Sequence, residues 1–330
     1  EHALAGRTIA QQGIVLLQNK KNVLPVDASK VKRVLVVGEN AVKRMTVGGG
    51  SSSLKAKYEV SPLEGIKARL GDGAEVIYSP GYASPAVKEQ DVLGAEEPDK
   101  MEIDADALRN DAVKWAKNVD IVFFVGGLNK NDGQDCEGND RSSLSLPYGQ
   151  DELIAELAKA NPNTVVVIIS GNAVAMPWVK QVPAIVEAWY SGTEAGNALA
   201  SILFGDVNPS GKLPFTFPAR LEDNGAHALG EHPGDSINVK YNESIFVGYR
   251  WADKQKKTKP LFAFGHGLSY TTFAYGKATA TKKSLTADET ITFTVPVKNT
   301  GSREGSEVVQ LYIGDKKSAL PRPIKELKGF

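Results

Sequence analysis

Ile121-Val-Phe-Phe-Val125, followed by Gly126-Gly127, and Thr164-Val-Val-Val-Ile-Ile169 are short β-rich runs in which no polar residue alternates with the apolar ones. A strand with one wet face alternates, whereas a continuous apolar run belongs to a sheet covered on both faces. Between the two runs lies a helical pattern over 151–159, and the same exchange of strand and helix extends to both sides. Residues 13–17, 31–37, 74–78 and 184–190 read as further strands, and 62–70 and 105–117 as further helices. The glycines Gly126 and Gly127 read as the end of their strand. Ser191-Gly-Thr-Glu194 has the form of a capping box ahead of a small-residue helix, which makes Glu194 a helix cap. Strand and helix taking turns predicts a doubly wound, largely parallel α/β sandwich over residues 1–217.

After Pro218 the pattern changes. Residues 218–270 read as a connector, with one aromatic strand, Ile245-Phe-Val-Gly-Tyr-Arg-Trp251. From 271 to 330 no helical pattern remains, and Ile291-Thr-Phe-Thr-Val-Pro-Val297 and Val308-Val-Gln-Leu-Tyr-Ile313 alternate as strands of an all-β sandwich. Such a sandwich takes about seven strands in about 100 residues, so this one is expected to be incomplete. At the other end, Glu1-His-Ala-Leu-Ala5 opens inside an amphipathic pattern with no initiator Met, so a cut is expected there too.

Composition removes several function classes. Lys+Arg and Asp+Glu both count 39 in 330 residues, for a formal net charge of zero. A surface without a basic excess is a poor match for nucleic acid or anionic membrane, where phosphate contacts release counterions. The single cysteine, Cys136, excludes an intrachain disulfide and a cysteine metal site. The four histidines, His2, His227, His232 and His266, show no metal-ligand spacing, and no organic cofactor is expected. No apolar stretch has the length of a membrane span.

The chemistry concentrates in Asp135-Cys-Glu-Gly-Asn-Asp-Arg141, downstream of the run 121–125. Ligands of open α/β sheets bind at the C-terminal edge of the strands, and a carboxylate there serves as general acid or base once its pKa is raised. The plainer alternative is a solvated acidic segment with a local Asp140–Arg141 ion pair. Gly48-Gly-Gly-Ser-Ser-Ser53 follows the strand 31–37 and matches no phosphate-binding pattern. Its glycines would let backbone approach a neutral ligand, with Ser51 or Ser52 offering a hydroxyl; the plainer alternative is a mobile surface loop. His266, between glycines and aromatics, reads as structural, and Tyr249 and Trp251 as core.

Together these motifs resemble glycoside hydrolase family 3, the β-glucosidase and β-xylosidase family, in its C-terminal half. The resemblance covers essentially the whole chain. It rests on Ile14-Val-Leu-Leu-Gln-Asn19, Gly48-Gly-Gly-Ser-Ser52, Glu137-Gly-Asn-Asp-Arg141 with Leu146-Pro147 and Gln150, Trp189-Tyr-Ser-Gly-Thr-Glu-Ala-Gly-Asn-Ala198, Phe204-Gly-Asp-Val-Asn-Pro-Ser-Gly-Lys-Leu-Pro214, Val247-Gly-Tyr-Arg-Trp251 and Phe264-Gly-His-Gly-Leu-Ser-Tyr270. It implies an α/β sandwich followed by a fibronectin type III-like domain, and a (β/α) barrel outside this chain that carries the nucleophile. It also implies that Glu137 is the general acid/base of a retaining β-glucosidase, and that Ser51 belongs to the segment reaching the first sugar subsite, where Ser52 is its neighbour. The substrate implied is a β-glucoside or β-oligosaccharide, and the chain alone is expected to be inactive. A β-xylosidase remains an alternative within the family, and a carbohydrate-binding or adhesion module and a flavodoxin-like regulatory domain remain alternatives outside it. A periplasmic or secreted location is the expectation.

Overall fold

The computed structural model describes residues 1–44, 55–84, 104–129, 134–136, 140–235, 237–255, 258–286 and 288–330. The chain begins with α1 (His2–Gly13) and β1 (Val15–Asn19), then β2 (Arg33–Val37), α2 (Pro62–Leu70) and β3 (Glu75–Ser79). Next come α3 (Ala105–Ala116), β4 (Ile121–Gly127), α4 (Gln150–Ala160), β5 (Thr164–Ile169), β6 (Ala184–Glu187) and α5 (Ala195–Leu203). The six strands form one sheet in the order β1-β6-β5-β4-β2-β3. Five run parallel, and β1 closes the edge antiparallel to β6.

The sheet is wound on both faces because successive side chains of a strand point to opposite sides. Ile121, Phe123 and Val125 pack with Val165, Val167 and Ile169 against Ala10 of α1, Leu63 and Ile66 of α2, and Ala198 and Ile202 of α5. Val122 and Phe124 pack with Val166 and Ile168 against Ala112 and Ala116 of α3 and Leu153, Ile154 and Leu157 of α4. Every residue of β4 and β5 is buried. At roughly 1.5–3 kcal/mol for each large apolar side chain fully buried, these two strands dominate the core.

On one face the helices touch through backbone. A Cβ on Gly196 of α5 would stand 2.0 Å from the Ser61 carbonyl oxygen, and one on Gly65 of α2 would stand 2.1 Å from that of Gly196. Small residues on α5 therefore let it lie close to α2. The capping box, however, belongs to α2 rather than α5. Glu64 N donates to Ser61 Oγ at 3.3 Å and Ser61 N donates to Glu64 Oε2 at 2.7 Å. Ser191 Oγ instead donates to the Ala188 carbonyl. Glu194 sits at the N-cap itself, its carboxylate accepting from Asn197 Nδ2 and Tyr58 OH, each at 2.7 Å.

Other boundaries move for local reasons. The first helix runs on to Gly13, so β1 begins at Val15. Gly126 and Gly127 end β4 as expected, as its last two residues, and both still pair with β5. The run 184–190 ends as a strand at Glu187, where Trp189 and Gly192 turn the chain with φ of 54° and 75°. The aromatic stretch 245–251 is not a strand. Gly248, with φ of 62°, breaks it, and the connector carries the short helices α6 (Gly225–Ala228) and α7 (Tyr249–Lys254). Trp251 is buried and Tyr249 stacks on Phe264. His266 is structural, as expected: its Nε2 lies 2.8 Å from the Leu17 carbonyl oxygen and its ring stacks on Phe262. Leu268 N donates to the Leu16 carbonyl at 2.8 Å, so this segment covers the open edge of β1.

Among the described residues the remainder is all β, in three two-stranded pieces. β7 (Phe273–Tyr275) pairs with β10 (Val297–Asn299), β8 (Thr279–Ala280) with β9 (Phe293–Thr294), and β11 (Leu311–Ile313) with β12 (Glu326–Gly329). These strands are shorter than their alternating sequences predict. Their apolar residues lack an opposing sheet among the described residues, leaving Phe293, Val297 and Ile313 exposed. Polar contacts join them to the α/β body, such as Lys212 Nζ to Glu307 Oε2 at 3.1 Å and Arg250 to Glu326 at 3.1 Å.

Two expectations follow from this packing. Gly196→Ala should lower unfolding stability by roughly 1–3 kcal/mol, because the backbones must separate. Gly6→Ala on α1, where nothing lies within 4 Å, should raise it by about 0.5–1 kcal/mol through helix propensity. Urea titration of the two variants checks the pair, and the same sign for both would contradict the contact. In native-state hydrogen exchange, amides of 271–330 should exchange well before those of β4 and β5. Equal protection would show a core that the present packing lacks.

Candidate active site

The parallel pairing of β2 with β4 and of β4 with β5 puts the C-terminal ends of all three on one edge. β4 is clamped there. Gly127, with φ of 119°, leaves no room for a Cβ, which would stand 2.3 Å from the Ile169 carbonyl oxygen. The buried amide of Gln150, first residue of α4, accepts from Gly127 N at 2.8 Å and donates to Gly127 O at 2.9 Å. Beyond the strand, Asp135 N donates to Asn129 O at 3.0 Å, and Gln134 bridges Asn129 N to the Tyr148 hydroxyl at 2.9 and 2.7 Å.

Asp135 is thereby delivered to the end of β5. Its carboxylate accepts from Gly171 N at 2.5 Å, from Tyr190 OH at 2.8 Å and from Asn172 Nδ2. On the far side of 137–139, Arg141 Nη1 donates to Asn172 Oδ1 at 2.7 Å and to Ala173 O at 2.9 Å. The chain then runs beside 173–178, with Ala175 N donating to Leu144 O at 2.7 Å and Trp178 Nε1 to Asp151 Oδ1 at 2.7 Å. The Asp140–Arg141 pair of the plainer reading does not form. Arg141 turns inward to Asn172, while Asp140 lies 3.4 Å from His232 Nε2 as an exposed pair of little energetic weight.

Asn172 and Gly171 are exposed and Asp135, Arg141 and Tyr190 half-buried, with fully buried Ser170 and Glu187 beneath them. Burial lowers the pKa of the Arg141 guanidinium, and the charge of Asp135 opposes that shift. Burial, with the charge of Asp135 and its hydrogen bond, raises the Tyr190 phenol, which stays a donor. Glu187, fully buried at the end of β6, has a carboxyl raised well above the usual range by burial. Its oxygens accept from Ser170 Oγ at 3.4 Å and Trp189 N at 3.2 Å, contacts that do not offset the cost of burial. Ser170 Oγ in turn donates to Asn172 O at 2.8 Å, which steadies the backbone of Asn172. Further along the edge a cavity of about 580 Å³ opens between Tyr78, Tyr82, Glu39, Lys43 and Leu108.

Glu137, Ser51 and Ser52 lie outside the described residues. The structure therefore fixes the flanks of Glu137 and the strands from which both segments depart. Sequence reasoning missed Asn172 and Tyr190 as members of this edge. The available signal was position, since Ser170-Gly-Asn172 follows β5 as the acidic segment follows β4. Among the described residues no group of three His, Cys, Asp or Glu is arranged to hold a metal ion, and no helix is long and apolar enough to cross a membrane.

Comparison with known proteins gives the family. The model of the glycosyl hydrolase family 3 C-terminal domain matches residues 14–270, and that of the fibronectin type III-like domain matches 307–330. The chain is 52% identical to the beta-glucosidase BoGH3A of Bacteroides ovatus, over 100% of this chain and 44% of the relative. It is 40% identical to thermostable beta-glucosidase B of Acetivibrio thermocellus, over 100% of this chain and 40% of the relative. It thus spans less than half the length of these curated relatives. Among solved structures, the Kluyveromyces marxianus beta-glucosidase in complex with glucose superposes with a TM-score of 0.87 at 29% identity, covering 99% of this chain and 55% of that one. The Bifidobacterium adolescentis family 3 beta-glucosidase does so with a TM-score of 0.83 at 35% identity, covering 99% and 44%. A doubly wound sheet whose C-terminal edge carries the anchored acidic segment, matched along its length by these relatives, belongs to glycosyl hydrolase family 3 as its C-terminal domain, followed by fibronectin type III-like sequence.

Proposed function

We propose that this chain is the acid/base-bearing part of a retaining β-glucosidase that releases glucose from the non-reducing ends of β-glucosides. Glu137 is the general acid/base, and the nucleophile is a carboxylate on a (β/α) barrel outside the chain. The observation that carries the reading is the pair of anchors on either side of Glu137. Asp135 and Arg141 are both fixed to Asn172 at the end of β5, on the edge where α/β sheets present ligands. The names of the relatives favour glucose over xylose. Residues 1–217 act as the α/β sandwich, 218–270 as a connector and 271–330 as the fibronectin-like part.

The chemistry divides between two carboxyl groups about 5–5.5 Å apart. The barrel carboxylate attacks the anomeric carbon while Glu137, protonated, gives its proton to the departing glycosidic oxygen. Glu137 as carboxylate then takes a proton from the water that releases the sugar. Closing the barrel over the edge removes water from Glu137 and raises its pKa, as a proton donor near neutral pH requires. Ser51 and Ser52 hydrogen-bond sugar hydroxyls at the first subsite. With one of the two carboxyls, the 330-residue chain alone has no covalent step to offer.

In the full-length protein, Glu137→Ala should reduce turnover of glucosides with poor leaving groups by roughly 100- to 10,000-fold, the usual worth of general acid help. A dinitrophenyl glucoside, whose leaving group needs no proton, should lose far less in the glycosylation step. Asp140→Asn should show no such dependence. Steady-state kinetics across a series of aryl glucosides reads this directly, and equal losses for good and poor leaving groups in Glu137→Ala would overturn the assignment.

A further inference from the structure

We infer that Asn172 is a positioning residue for the acid/base Glu137, acting as a clip that holds the two ends of the acidic segment at a fixed separation. The inference rests on the reading of Glu137 as the acid/base and adds to it a residue that the reaction does not itself name. Asn172 follows β5, 37 residues from Asp135 and 31 from Arg141 in sequence. Its one amide group reaches both. Nδ2 donates to the Asp135 carboxylate, and Oδ1 accepts from Arg141 Nη1 at 2.7 Å.

The charges on either side leave the amide one orientation. Turning it over would set its oxygen against the carboxylate and its NH2 against the guanidinium, repulsive on both sides. Ordinarily the two ends of an Asn amide are assigned from its partners, and here both partners agree. Hydrogen bonds to ionised groups are about twice as strong as neutral ones. Arg141 and Asp135 make no direct ion pair among the described residues, so the amide is the link between them. The clip is itself held, by Ser170 Oγ on its carbonyl at 2.8 Å and by Gly171 N on Asp135 at 2.5 Å. Among the described residues, Arg141 Nη2 is buried without a hydrogen-bond partner. The guanidinium therefore depends on its Nη1 contacts for its placement.

A side chain that fixes the acid/base should matter where proton donation is slow and not elsewhere. In the full-length protein, Asn172→Ala should lower kcat/KM for poor-leaving-group glucosides by about 10- to 100-fold, the scale of an ångström of misplacement. It should change that for a dinitrophenyl glucoside less than about threefold and should add no further loss to Glu137→Ala, since residues acting as a unit are not additive. A donor-acceptor exchange guards against a folding artefact. Asn172→Asp alone sets two carboxylates together and should be impaired. Combining Asp135→Asn with Asn172→Asp restores every contact with the roles reversed. The new amide at the first position donates to the new carboxylate at the second, which still accepts from Arg141. This double variant should recover most of the poor-leaving-group activity. Loss spread equally over all substrates, further loss in the Glu137→Ala background, or an exchange no better than Asn172→Asp would overturn the clip. A leaving-group-dependent Glu137→Ala beside an unaffected Asn172→Ala would overturn the clip alone. A Glu137→Ala without leaving-group dependence would overturn the acid/base reading beneath it.

Discussion

Burial of β4 and β5 on both faces is the constraint on which the rest of the molecule depends. With helices above and below, the strands have no wet face, and polar chemistry can gather only where they end. Phe123 and Phe124 point to opposite faces and are both fully buried, so the depth of the sheet is set on each side by large, rigid side chains. Removing either ring would cost about 3–5 kcal/mol. The glycines Gly38 and Gly127, pressed against the carbonyls of Val125 and Ile169, then bring neighbouring backbones together at the C-terminal edge. Asp135, Asn172 and Tyr190 meet there because three adjacent strands deliver them to one line.

The same constraint makes the site rigid from below. Gln150 holds the end of β4, Ser170 holds Asn172, and Asn172 holds Asp135 and Arg141. None of these groups needs to touch a substrate. Their shared effect is to fix Asp135 and Arg141, the two described ends of the acidic segment. Preorganisation of this kind is the usual use of polar networks beneath a catalytic group.

Much of this was legible in sequence wherever a physical signal was local. The run 164–169 and the helix 62–70 appear with the expected bounds, because uninterrupted β-branched residues and a proline-led amphipathic turn leave little competition. Where a single backbone dihedral intervened, the local signal misled. Trp189 and Gly248 end or divert apolar stretches that otherwise read as strand. The sequence offers S-x-x-E patterns at both 61–64 and 191–194, and only Ser61 stands where its hydroxyl faces a free helix end. The all-β segment shows the limit of alternation as a signal, since alternation says which side is apolar and not whether anything packs there. For the site, the acidic motif around Glu137 was visible as a motif. Its anchors were not, because Asn172 and Tyr190 reach Asp135 across 37 and 55 residues of chain, and only the sheet order relates them.

The central claim is that this chain contributes the acid/base carboxylate opposite a nucleophile carried elsewhere. The most direct measurement is product identity, by NMR, when full-length Glu137→Ala turns over a dinitrophenyl glucoside in the presence of azide. Once the glucosyl-enzyme has formed, azide needs no general base and attacks from the face that Glu137 has vacated. The account predicts β-glucosyl azide from the variant and free glucose from the unaltered enzyme. An α-configured azide, or glucose alone from both, would contradict it.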